Sequence, residues 1–439
     1  MRTVIYGGEV YSEDRVIEKG VVIITNEKIE RILDVTSFCE IDLPELPAVK
    51  NANCAINASC TIIAPGSIEM HTNGFVGYNF GNITAEGLKK VLEEYPKYGV
   101  TNVTPTLITE EKQNIKKALE DIVNYHENNN ENMLLPCYLE ARYFCDTNKK
   151  GAHNSKYLVN SASNDKNLQQ IILDEVSEFD AAARGFLKLI TIDPSLEDAN
   201  YIIKQLVSKD YKVVIGHSDC TREEAEIAID NGASILSHAF NAISMEKDYY
   251  GYRISEDKKI KNALGVCLDD ERVFAELIID FVHSRQEYDK MLIERKGFKH
   301  TCLITDACAA TKSEKKENLL GDEEVIIISK DGYDAAYRKN NTLCGSVLTM
   351  DKAIMHCVEL GYFLKDAFEM ASLIPAKALG IDNTIGSISQ NKYANIAIYE
   401  KAIEKINGQD NINRTLCTLV EGQIKYSAED FKNKIKILK

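Results

Sequence analysis

No apolar run in this 439-residue chain approaches the roughly 18 residues that mark a membrane span. The N-terminus, MRTVIYGGEVYSEDRV, has no apolar signal core, and the twelve cysteines are dispersed without a paired CxxC pattern. A reducing cytoplasm is therefore the expected compartment, where Asn-x-Ser/Thr matches such as Asn82-Ile83-Thr84 carry no glycan. Clusters of Lys and Arg are missing too. With a net charge of -15 and scattered cations, the chain offers no nucleic-acid footprint, although a local basic pocket stays compatible with it. Low complexity is confined to NYHENNNENM, which reads as a solvated helix end and loop. What is abundant is apolar side chain, 44% of the total, enough to bury one large α/β domain with a smaller companion.

Residues 1–60 hold short strand-like pieces, TVIYGGEVY and GVVIITNEKIERIL, with Gly-rich turns and no long helix. From residue 61, apolar β-rich runs alternate with amphipathic stretches such as TAEGLKKVLEEYPKYG and EEAEIAIDNG, the pattern of repeated βα units. A (β/α)8 barrel over 61–380 is the leading expectation, with a doubly wound sheet as the alternative. TIGSISQNKYANIAIYEK and LCTLVEGQIKYS, within 381–439, return to strand and turn. Both chain ends are thus expected to build one small β-sandwich domain.

The segment YKVVIGHSDCTREEAEIAIDNGASILSHAFNA carries the chemistry. YKVVIG is a buried strand ending at His217, Thr221 and Glu224 form a capping box for the next helix, and ASILSH is a strand ending at His238. In a βα barrel the carboxyl ends of successive strands face one site, so the spacing predicts two imidazoles in one pocket. LLPCYLE ends in Glu140, HTCLITD in Asp306 and CTIIAPGSIEMH in His71. An ionisable group closing an apolar run is costly to bury unless paired or metal-bound. A carboxylate and two neutral imidazoles suit Zn²⁺ or a similar divalent ion with an open position for water, and a further aspartate can take that water's proton. His126, His300 and His356 read as structural or exposed.

Taken together, PGSIEMHTNG, YLEARYFCDTNKKGAHN, IGHSDCT, SHAFNA, ITDA and CGSVLTM resemble, in order along the chain, the motifs of the amidohydrolase superfamily, and within it the N-acetylglucosamine-6-phosphate deacetylases. The resemblance extends to the terminal GSISQNKYANIAIY. It implies one divalent ion per subunit held by Glu140, His217 and His238, with Zn²⁺ first and Fe²⁺, Co²⁺ or Mn²⁺ as alternatives. It also implies that Asp306 is the general base and then the general acid. Asn241 and Ala242 would contact the sugar, His153 and His283 would line the pocket, His283 towards the phosphate, and Arg253 would reach the phosphate in the neighbouring subunit of a homodimer.

Two departures from the family pattern stand out. The strand-one motif is His71-Thr72-Asn73 rather than His-x-His, which favours one metal and leaves His71 and Asn73 as additional site residues. Ala141-Arg142 replaces the usual Gly-Pro after the Glu140 position, adding a cation near the pocket. The implied function is removal of acetate from an N-acetylated amino-sugar 6-phosphate. The alternatives are another N-acetylated sugar phosphate, an N-acyl amino acid, or a sugar-phosphate-binding homologue without catalysis.

Overall fold

Alternation of buried β runs with amphipathic helices is what the computed structural model contains; it describes residues 1–140, 142–145, 149–159, 167–243, 263–315, 317–321 and 323–438. Two compact units are present. One comprises Met70–Val91 and Thr104–Leu348, the other Met1–Glu69, Leu92–Val103 and Thr349–Lys439.

One sheet has eight strands in sequence order: β1 (Ser67–Thr72), β2 (Val100–Leu107), β3 (Cys137–Leu139), β4 (Leu187–Ile192), β5 (Lys212–Ile215), β6 (Ile235–Leu236), β7 (Phe274–Ile278) and β8 (Thr301–Ile304), with β3 to β8 lying wholly in the first unit. Each pair from β2 to β8 is parallel. The seam closes just past β1 and β8, where the Asp306 N–H donates to the His71 carbonyl at 3.0 Å and the Asn73 N–H to the Ala307 carbonyl at 2.8 Å. The result is a TIM barrel. Its strands are buried over nearly their full length because helices cover the outer face while side chains fill the interior. The helix Arg222–Asp230 starts with the expected capping box: Glu224 N–H donates to Thr221 Oγ1 at 3.2 Å, and Thr221 N–H to Glu224 Oε2 at 2.7 Å.

The run CTIIAPGSIEMH, read as one apolar run ending at His71, holds two strands. Thr61–Pro65 belongs to a six-stranded sheet and Ser67–Thr72 is β1. Gly66 divides them because a Cβ there would stand 2.1 Å from Thr101 Cγ2, so only glycine lets the chain pass this point.

In the second unit, Ile435–Ile437, Cys54–Asn57, Arg2–Tyr6, Gly20–Thr25 and Lys28–Asp34 make a five-stranded sheet. The six-stranded sheet contains Gln423–Ser427, Ile412–Val420, Ile396–Lys401, Thr61–Pro65, Glu9–Tyr11 and Val16–Ile17. Each sheet draws strands from both ends of the chain, and Ile5, Val22, Ile56, Ile63, Ile396 and Leu419 share one buried cluster.

A four-stranded antiparallel sheet after β8, Asn318–Leu320 to Leu343–Ser346, has no counterpart in the sequence reading. It packs Leu320, Val325, Ala336 and Cys344 against Ile108 and Cys308 at the barrel mouth. Among the described residues, no helix is long and apolar enough to cross a membrane.

Candidate active site and metal centre

The barrel strands deliver His71, Glu140, His217, His238 and Asp306 to one mouth, all buried. His217, His238 and Asp306 sit in left-handed turns with φ of 49°, 20° and 48°. For residues with a Cβ such backbone costs about 1–3 kcal/mol each, and it persists where the surroundings over-determine it. At Asp306 the surroundings are the seam: its N–H is held by His71, and its carbonyl accepts the Ser346 N–H at 2.8 Å.

Glu140 Oε1 lies 3.1 Å from His238 Nε2 and 3.3 Å from His217 Nε2, and the two nitrogens are 3.2 Å apart. A tetrahedral ion with bonds of about 2.0–2.1 Å sets its donors about 3.3 Å from one another, so this triangle has the size of a tetrahedral face. The His217 tautomer agrees with it. His217 Nδ1–H donates to the Lys149 carbonyl at 2.9 Å, which leaves Nε2 with a bare lone pair. Burial works against a charged Glu140, but His71, His217 and His238 outweigh it and hold the carboxyl well below its usual range. Burial also lowers His217, keeping the ligand form neutral.

His153 forms another close set with Glu140 and His217. Its Nδ1 accepts the Thr109 backbone N–H at 3.3 Å, and Thr109 Oγ1 is 2.9 Å away. A backbone N–H can only donate, so the ring proton sits on Nε2, 3.9 Å from Glu140 Oε1. Burial and the neighbouring His217 hold His153 well below its usual range. In this tautomer it presents a neutral Nε2–H on the Glu140 side.

His71 Nδ1 and Glu276 Oε2 are 2.8 Å apart, and His71 Nε2 is 3.4 Å from Glu140 Oε1. Burial opposes a charge on His71, but the two glutamates raise it well above its usual value. Asn73 donates from Nδ2 to Asp306 Oδ1 at 2.7 Å, orienting that carboxylate. Asn241, Ala242 and His283 line the same cavity of about 220 Å³. His283 Nδ1 bonds Asp280 Oδ2 at 2.6 Å; burial would lower the imidazole, and Asp280 more than offsets this and raises it.

Arg142 does not bring its charge to the cavity, contrary to expectation. Its Nε donates to Glu175 Oε2 at 2.9 Å and its Nη1 to the Glu110 carbonyl at 2.6 Å, and the pair is buried. A buried guanidinium needs such a partner, and a helix face supplies it. Arg253 and Ala141 lie outside the described residues.

Sequence reasoning missed Glu276 and Asp193. Glu276 interrupts the apolar strand VFAELIID, and its cost of burial there is the signal that could have exposed it. Asp193 follows β4 and is a node: Oδ1 accepts from Ser195 N at 2.9 Å and from the Ser218 hydroxyl, while Oδ2 accepts the Cys145 N–H at 3.2 Å. Ser218 adjoins His217, and Cys145 stands four positions before Lys149 in the sequence. Asp193→Asn turns an N–H₂ towards one of these donors, which loosens the support of His217. Partners bonded directly to a ligand are worth about 10–100-fold in metal affinity, and Asp193 acts one step further out through Ser218, so the lower end of that range applies. Chelator competition should show weaker ion binding by about tenfold, and unchanged affinity would remove Asp193 from this role.

The amidohydrolase family profile matches residues 62–425. An N-acetylglucosamine-6-phosphate deacetylase of Haemophilus influenzae is 30% identical over 343 residues, covering 77% of this chain and 82% of that protein. An N-acetylgalactosamine-6-phosphate deacetylase of Escherichia coli O157:H7 is 27% identical over 345 residues, covering 78% and 84%. The crystal structure of N-acetylglucosamine-6-phosphate deacetylase from Pasteurella multocida is similar at a TM-score of 0.79 and 25% identity, over 98% of this chain and 100% of that one.

Proposed function

Because the chain belongs to the amidohydrolase family, we propose that it is a metal-dependent hydrolase releasing acetate from N-acetylglucosamine 6-phosphate, with glucosamine 6-phosphate as the other product. The observation that carries this reading is the triangle of Glu140, His217 and His238 donors sharing one cavity with the carboxylate of Asp306. Those three residues would hold the ion. Zn²⁺ fits them best, and Fe²⁺, Co²⁺ and Mn²⁺ share the donor preference. When bound, the ion supplies Lewis-acid chemistry, acidifying water and polarising the acyl carbonyl.

The remaining work belongs to side chains. Asp306, oriented by Asn73, takes the proton of the attacking water and returns it to the departing amine. The Nε2–H of His153 is placed to donate to the acyl oxygen as negative charge develops there. His71, held as an imidazolium between Glu276 and Glu140, supplies positive charge where a second ion would otherwise be expected. Asn241 and Ala242 contact the sugar, and His283, charged by Asp280, faces the phosphate.

The test is acetate release by metal-reconstituted protein over N-acetylated sugars with and without a 6-phosphate, both C4 epimers included. N-acetylglucosamine 6-phosphate should give the highest kcat/KM. Preference for the galacto epimer would reassign the sugar, and preference for an N-acyl amino acid would overturn the reading.

The enzyme works as a cytoplasmic homodimer on this reading, with Arg253 reaching the phosphate in the partner's site. A charge-assisted contact of that kind is worth about 1.5–3 kcal/mol. Arg253→Ala should raise KM for the 6-phosphate substrate by at least about tenfold and leave the unphosphorylated sugar unaffected. Mixing it with Asp306→Asn protein should restore phosphate-dependent activity once subunits exchange, because one site then combines an intact Asp306 with an intact Arg253. Exchange without recovery places the arginine within its own chain's site or removes it from the site.

A further inference from the structure

Beyond the reacting groups lies a second cavity of about 240 Å³, and Asn73, Ile108 and Leu320 line both. Its position follows from strand order. Asn241 and Ala242 follow β6 and His283 follows β7, whereas the second cavity is walled mainly by segments that follow β1, β2 and β3, across the ring, with Leu320 and Gly321 from the segment after β8. On the reading given above, on which this inference rests, the sugar phosphate occupies the β6–β7 side and the carbonyl lies at Glu140, His217 and His238. The acyl substituent then points across the ring, to Asn73 and Ile108 and the space behind them.

An acetyl methyl does not need that space, and the lining is not suited to one. Asn79, Asn82, Glu110, Asn114 and Tyr157 make the walls polar. The acceptors among them outnumber what the protein satisfies. Asn79 donates from Nδ2 to the Leu319 carbonyl at 2.6 Å and Asn73 from Nδ2 to Asp306 at 2.7 Å, and the Oδ1 of each is buried without a partner in the protein. Glu110 adds a carboxylate, steadied by Asn114 Nδ2 at 2.9 Å and the Glu111 N–H at 3.2 Å. Buried acceptors without donors are costly, and a carboxylate beside them repels anions.

We infer that this second cavity is an acyl subsite, and that the protein hydrolyses amides whose acyl chain is longer than acetyl and ends in a hydrogen-bond donor, a hydroxyl or an ammonium. The bond chemistry is that of the parent reaction. Water's oxygen joins the acyl carbon, the C–N bond breaks, and a water proton leaves on the amine, so the products are a hydroxy or amino acid and the amino-sugar phosphate. No further reactant is required.

The experiment uses the full-length, metal-reconstituted protein and glucosamine 6-phosphate N-acylated with acetyl, butanoyl, 3-hydroxypropanoyl, 3-aminopropanoyl or 3-carboxypropanoyl groups. At least one of the hydroxy and amino chains should be turned over with kcat/KM within about tenfold of acetyl, and the near-isosteric butanoyl chain should fall about tenfold or more below it. The carboxylate chain should be poorest. Asn114→Phe, which fills the cavity from the helix Lys112–Asn129, should lower the ratio of donor-bearing chain to acetyl by about tenfold. Butanoyl turned over as well as the hydroxy chain, or acetyl as the only substrate, overturns the subsite while leaving the deacetylase reading intact. If acetyl itself is not released, the parent reading has failed and the subsite with it.

Discussion

Asp306→Asn should lower kcat by about two to four powers of ten, the range associated with loss of a positioned acid–base group, while substrate affinity and ion content stay nearly unchanged. The substitution is close to isosteric, and the side-chain oxygen can still accept from Asn73 Nδ2, now at 2.7 Å, so the geometry is retained. What is lost is the capacity to carry a proton. Burial pushes the Asp306 carboxyl up to about 6 against the opposing pull of His71, which suits a group that must take a proton and release it near neutrality. Steady-state kinetics, with ion content by elemental analysis, separates the outcomes. A variant within tenfold of the wild-type rate would reassign the proton transfer to another group.

Glu140→Gln should weaken binding of the divalent ion by more than about a hundredfold and abolish turnover, exceeding the loss expected from any supporting residue. Its Oε1 is the vertex common to both imidazole contacts, at 3.1 and 3.3 Å, and it is the only carboxylate in that triangle. An amide in its place removes the negative charge that offsets a dication and holds Nε2 of both histidines towards one point. Wild-type protein equilibrated with excess ion and then desalted should retain one equivalent, and the variant almost none. Two equivalents on the wild type would show that His71 Nε2 serves as a ligand rather than as the carrier of a fixed positive charge. Full occupancy of the Glu140→Gln protein would shift the centre to another donor set.

The positions of Glu140, His217, His238 and Asp306 were legible because each closes an apolar run, where a charge is expensive unless the fold gives it a purpose. Glu276 was hidden because it stands within such a run instead of at its end, although it is equally buried. Arg142 was read from its neighbours in sequence, but its charge is taken up by Glu175, on a helix face 33 residues away. The hydrogen bond between Asn73 and Asp306 joins residues 233 positions apart, and no local pattern announces it. The barrel strands were readable from alternation with helices. The division of CTIIAPGSIEMH at Gly66 was not, because it depends on the Thr101 side chain that lies against that glycine.

Closure of the barrel through the His71 carbonyl and the Asp306 N–H has a consequence for biosynthesis. On the proposed reading the ion donors reside after β3, β5 and β6, whereas the proton-transfer group follows β8, the last barrel strand to leave a ribosome that adds about 5–20 residues per second. A nascent or truncated chain lacking β8 would carry Glu140, His217 and His238 while leaving the exposed edges of β1 and β7 without their neighbour, an arrangement prone to wrong pairing. On the proposed reading, hydrolytic competence arrives only with the strand that seals the barrel, and an incomplete chain would compete for metal before it could consume substrate.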